Sequence, residues 1–120
     1  MKETIQSIIQ WHTETFPDAT LEGQLKKFED EEKEYEEADE KDVLAKSTLM
    51  ELADLVIVAC GIARFDLLEG LYAFESALHW IDKCSCFDII DVSNAVKEKM
   101  QINRKRKWGC NKGYYQHVDE

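Results

Sequence analysis

Apolar residues recur at helical spacing through most of the chain. Ile5, Ile8, Ile9 and His12 predict a first helix from about Lys2 to Thr15. Phe16-Pro17-Asp18 ends it, because the residue before a proline avoids the helical region. A second helix is expected from near Thr20, capped by Asp18 or Thr20, with the stripe Leu21, Leu25, Phe28, Glu32 and Tyr35. Acidic residues intrude on that stripe, and Asp39 to Asp42 reads as a solvated turn. The third helix covers about Val43 to Phe65. Beyond Leu49 nearly every side chain in it is apolar, so it has to be buried on most sides. A fourth, from about Asp66 to Lys83, carries Leu67, Leu68, Leu71, Phe74, Leu78 and Ile81. A fifth, from about Asp88 to Lys107, carries Ile89, Val92, Val96 and Met100. The chain after Trp108-Gly109 reads as irregular.

Composition agrees with this pattern. Five glycines and one proline among 120 residues leave few helix breakers, and Glu, Lys, Leu and Ala dominate. The expected architecture is an all-α bundle of four to five helices, with one domain over 1–109 and an irregular tail over 110–120. A chain of this size keeps much of its surface exposed, so oligomerisation is a natural expectation.

Charge narrows the partners. The net charge of −10 argues against a nucleic-acid polymer or an acidic membrane as the main partner. The charge is uneven: ten of the fourteen residues from Glu29 to Asp42 are acidic, and seven of the fifteen basic residues lie between Lys97 and Lys112. The region after Met1 is polar and does not look like a leader. The apolar run Leu49 to Ala63 is too short for a membrane span and is interrupted by Glu51 and Asp54. Cys60 reads as a small core residue. The CxC pair Cys84/Cys86 could bind a metal with Cys110, but no second close pair completes a zinc pattern. Reduced thiols in a cytoplasm are the expectation.

The anomaly lies in the third helix. Glu51 and Asp54 stand in Leu-Met-Glu-Leu-Ala-Asp-Leu-Val-Ile-Val-Ala, three apart and therefore on one face. Ionised carboxylates are rarely buried without a partner, since losing hydration costs several kcal/mol per ion. Either that face is exposed or something cationic sits there. Glu31 and Glu34 in the second helix have the same spacing, and an antiparallel hairpin would bring both pairs together. Glu29/Glu32 and Glu34/Glu37 have that spacing as well, and a charge run is often only a solvated face. Four carboxylates suit a hard cation such as Mg²⁺. A di-iron bundle is excluded, because it needs Glu-x-x-His and the residues three before His12, His79 and His117 are Ile9, Ser76 and Tyr114.

The pattern Glu31-x-x-Glu34, sixteen intervening residues, Glu51-x-x-Asp54 resembles the signature of the MazG-like all-α nucleotide pyrophosphohydrolases. Leu25, Phe28 and Ala38 flank it in matching fashion. So do Trp11-His12-x-x-Thr15-Phe16-Pro17 near the start and Glu98-Lys99-Met100-x-Ile102-Asn103-Arg104-x-Arg106-x-Trp108-Gly109 near the end. The resemblance implies hydrolysis of a nucleoside triphosphate, dNTP above all, between the α and β phosphates. It implies Mg²⁺, with Mn²⁺ as a substitute, held by Glu31, Glu34, Glu51 and Asp54. Glu34 or Glu31 would orient or deprotonate the water. It also implies a homodimer or homotetramer. Lys99, Asn103 and Arg104 are the candidates for binding substrate on the fifth helix, and Trp11 and His12 for the base. The alternative is a non-enzymatic helical interaction protein with a structural divalent-ion site.

Overall fold

The computed structural model describes residues 2–41, 46–84, 87–111 and 114–117. Helices α1 (Ile5–Thr15), α2 (Leu21–Lys41), α3 (Lys46–Phe65), α4 (Leu67–Lys83) and α5 (Ile89–Lys105) are followed by strands β1 (Trp108–Asn111) and β2 (Tyr114–His117). Four helix starts have a local cause. Thr4 and Ser7 form a reciprocal capping box at α1, and Asp88 and Asp91 form another at α5. The Thr20 hydroxyl accepts from the Gly23 amide at 3.0 Å, so Thr20 rather than Asp18 caps α2. Asp66 accepts from the Glu69 amide at 3.1 Å and caps α4.

Helix α3 is the centre of the molecule and packs against α1, α2, α4 and α5. Its Leu52, Leu55, Ala59, Cys60 and Ile62 are fully buried, which is why the run after Leu49 is apolar on almost every side. Burial pushes the Cys60 thiol up to about 12, as befits an inert core residue. Helix α4 approaches α3 closely at Gly70, where an added Cβ would lie 2.6 Å from Ala63 Cα. Glu32, the acidic residue on the expected apolar stripe of α2, is satisfied across the bundle: its carboxylate accepts from Trp80 Nε1 at 2.8 Å. Tyr35 packs beside it, with its ring centroid 5.3 Å from that of Trp80.

Two expectations change. The segment read as a turn from Asp39 continues α2 to Lys41, while Asp42 and Val43 lie outside the described residues. The segment after Trp108 is paired rather than irregular: β1 and β2 run antiparallel, with Trp108 opposite His117 and Asn111 opposite Tyr114. Trp108 anchors this hairpin to the bundle by donating Nε1–H to the Asn103 carbonyl at 3.1 Å. Among the described residues no helix is long and apolar enough to cross a membrane. Cys84 is buried with a free thiol, whereas Cys86 lies outside the described residues, so the cysteine metal reading falls partly outside them too.

Candidate functional site

Helices α2 and α3 face each other through two matching stripes. On α2 the stripe is Gln24, Lys27, Glu31 and Glu34; on α3 it is Glu51, Asp54, Val58 and Gly61. The helices run antiparallel, so Glu34 meets Glu51, Glu31 meets Asp54, and Gln24 meets Gly61. These stripes form one wall of a cleft of about 490 Å³. The opposite side is built by Lys99, Asn103 and Arg106, which recur at helical spacing from α5 into the residue after it, and the inner end by Trp11, Phe16 and Trp108.

The facing stripe decides which acidic pairs belong to the cleft. Glu32 points to Trp80, and Glu29 and Glu37 are exposed and do not line it. Glu31, Glu51 and Asp54 each bring one oxygen within 4.8 Å of the others. Glu34 is exposed and hydrogen-bonds to both Glu31 and Glu51. Two carboxyl groups can hydrogen-bond only if one of them carries a proton. Accordingly, burial and then the charges of Asp54, Glu31 and Glu34 push Glu51 up to about 7. Glu31 is raised by burial and by Asp54, and Glu34 by partial desolvation of its carboxyl and by Glu31. Asp54 is raised by burial, although Lys99, Lys27 and Arg106 pull against it. Lys27 Nζ lies 3.5 Å from Glu31, and Lys99 Nζ lies 3.5 Å from Asp54.

This donor set fits a hard divalent cation. The oxygens converge, and the buried Oε2 atoms of Glu31 and Glu51 have no hydrogen-bond partner. Asn103 is a second incomplete group. It is 5% exposed, and its Oδ1 has no partner while its Nδ2 reaches only Met100 Sδ at 3.8 Å.

The sequence candidates divide. Glu31, Glu34, Glu51, Asp54, Lys99, Asn103, Trp11 and His12 all line the cleft. Arg104, a substrate-binding candidate from the sequence, does not line it. Its guanidinium grips Glu3 through Nε at 3.0 Å and Nη2 at 2.8 Å, tying α5 to the start of α1. The reason is rotational: five residues beyond Lys99, Arg104 sits about 140° from it around the helix. His12 reaches the cleft with both ring nitrogens engaged. Arg64 Nη1 lies 3.1 Å from Nδ1, and Gln24 hydrogen-bonds the ring from α2. Burial, reinforced by Arg64, lowers His12 to about 4, so it is neutral at pH 7. Gly61 makes room for the pair, since a Cβ there would lie 2.7 Å from Gln24 Oε1 and 2.8 Å from His12 Nε2. Arg64 also donates to the His12 and Phe16 carbonyls, at 3.3 and 2.8 Å, capping the end of α1.

Sequence reasoning passed over Gln24, Lys27, Arg106 and Trp108 as site residues. Lys27 was detectable as the cation four residues before Glu31, and Arg106 as the one seven after Lys99. Trp108 stacks edge-on against Trp11 and Phe16, with centroids 6.0 and 5.1 Å apart, a contact that exists only in the folded chain. Compared with protein-family models, with curated proteins and with solved structures, the chain matches none.

Proposed function

We propose that the protein is a divalent-metal-dependent pyrophosphohydrolase of the MazG-like kind, cleaving a nucleoside triphosphate to the monophosphate and pyrophosphate. The observation that carries this reading is the meeting, in one cleft, of a carboxylate cluster, an opposing basic edge and an aromatic inner end. Each serves a different part of a nucleotide bound with its cation. Glu31, Glu51 and Asp54 would hold the cation. The chemistry supplied by Mg²⁺, or by Mn²⁺ in its place, is charge neutralisation of the polyphosphate and acidification of water.

The chain's own residues account for the rest. Glu34 stands outside the converging oxygens yet hydrogen-bonds to Glu31 and Glu51, so it is the carboxylate suited to orient water and take its proton. Lys99 and Arg106 offer positive charge to phosphate oxygens. Trp11, Phe16 and Trp108 offer an apolar wall to a planar base, and Asn103 Oδ1 an acceptor for one of its N–H groups or for a sugar hydroxyl. His12, held by Arg64 and Gln24, positions that wall.

The oligomer implied by the family resemblance finds support in an exposed apolar face on α4 and the start of α5, made by Leu67, Leu68, Leu71, Tyr72, Leu78, Ile89 and Ile90. The reaction is tested by incubating the protein with a panel of NTPs and dNTPs and Mg²⁺ while measuring pyrophosphate. At least one nucleotide should give monophosphate and pyrophosphate. Release of orthophosphate alone, or no turnover over the whole panel, would refute the reading.

A further inference from the structure

The cluster motif consists of carboxylates alone, but two of them lean on lysines from different helices. Lys27 Nζ and Lys99 Nζ each stand 3.5 Å from a carboxylate oxygen, Glu31 Oε1 and Asp54 Oδ1 respectively. Both lysines are partly buried, with side chains 25% and 17% exposed, so neither pair is a fully exposed surface ion pair. Glu31 and Asp54 belong to the group whose oxygens converge for a cation. A divalent ion bound by that group competes with the ammonium groups for the same carboxylates.

We propose that Lys27, together with Lys99, is an exchangeable counter-ion. Each lysine neutralises a carboxylate of the cluster, and each passes to the polyphosphate of the substrate when a divalent cation takes the carboxylate. This rests on the reading of the cleft as a metal and nucleotide site. Charge favours it. The carboxylates of the cluster face Lys27, Lys99 and Arg106, and a divalent cation adds two positive charges to that group. The added charge attracts a polyanion, so cation and polyphosphate promote each other's binding. Lysine suits the exchange: a compact ammonium on a flexible four-carbon stem can swing between partners that a rigid guanidinium fork would hold. A second observation points to a ligand in the same cleft. Asn103, 5% exposed, lines it from the α5 side one turn beyond Lys99, and its buried Oδ1 has no hydrogen-bond partner. The lysines would therefore be released beside a group already short of a partner.

The test is titration calorimetry on the full chain with two probes, Mg²⁺ alone and inorganic tripolyphosphate at saturating Mg²⁺, in the parent, Lys27→Met and Lys27→Arg. Removing the competing ammonium in Lys27→Met should tighten Mg²⁺ alone by about three- to tenfold, the scale of a single ion pair. It should weaken tripolyphosphate by about tenfold, through loss of a charge-assisted contact. Lys27→Arg should instead weaken Mg²⁺, because the guanidinium grips Glu31 more firmly. Opposite signs for the two probes are the signature, since a lysine that merely supports the fold would move both in one direction. Unchanged affinities, or Mg²⁺ weakened in Lys27→Met, would overturn the proposal while leaving the metal site standing. A parent that binds no Mg²⁺ would overturn the metal reading and the exchange with it. Lys27→Gln replaces Lys27→Met if circular dichroism shows that the methionine variant has lost its helices.

Discussion

Glu51 carries the largest conflict between stability and chemistry at the scale of one residue. Burial and three neighbouring carboxylates push it up to about 7, against an ordinary value of 4.5. Between those values the folded protein binds a proton that the unfolded chain has released, so metal-stripped protein loses stability as pH rises through that window. Glu51→Gln removes the charge while keeping the shape. Without metal, the variant should melt at an equal or higher temperature than the parent at pH 8, and its melting temperature should vary less between pH 5 and 8. Turnover should still fall by at least about a hundredfold, because the cation contributes several kcal/mol to the transition state. Asp54→Asn should lose activity similarly. Melting curves with and without Mg²⁺, beside the pyrophosphate assay, check both outcomes. Full activity in either amide variant would remove that residue from the site.

Rotation about a helix axis is what matters at the scale of the element. On α2, a step of one residue turns the side chain by about 100°, enough to send Glu32 to Trp80 while Glu31 faces α3. Around the end of α5 the same rule separates two arginines. Arg104 is paired with Glu3, and its hydrogen bonds hold Glu3 below the usual carboxylate range, whereas Arg106 lines the cleft. Arg104→Ala should therefore lower stability by up to about 1 kcal/mol and leave KM nearly unchanged. Arg106→Ala should raise KM by about tenfold or more, with little effect on melting, by removing a charged contact to phosphate. Steady-state kinetics and thermal melts of the two variants decide between these placements. A KM rise in Arg104→Ala equal to that in Arg106→Ala would defeat the assignment.

For the whole molecule, the outer face of α4 is the outstanding feature. Leu67 and Leu68 are 68% and 64% exposed, and Tyr72 and Ile90 extend the apolar surface. Among the described residues, this face packs against nothing within the chain that would explain so many large apolar side chains. If it is the surface between subunits, light scattering should give at least twice the chain mass of 14.0 kDa. Leu68→Lys together with Leu71→Lys should then shift the protein to the monomer while helical content is retained. A parent that runs as a monomer at high protein concentration would rule the interface out.

Helical periodicity alone was enough to expose five helices, the central position of α3 and the misplaced charges within it, because these are local properties of spacing and composition. The carboxylates at Glu51 and Asp54 were legible for the same reason: three-residue spacing puts them on one face whatever the rest of the chain does. Three-residue spacing left three glutamate pairs on α2 equivalent; the family resemblance pointed to Glu31/Glu34, and packing against α3 is what brings that pair to the cleft. The folded chain also turned Arg104 away and Arg106 inward, engaged both ring nitrogens of His12, and seated Trp108 on Trp11 and Phe16. Sequence spacing defines which residues share a face. Which neighbour that face meets depends on how each helix is rotated against the others, and that rotation is set by contacts between residues far apart in the chain.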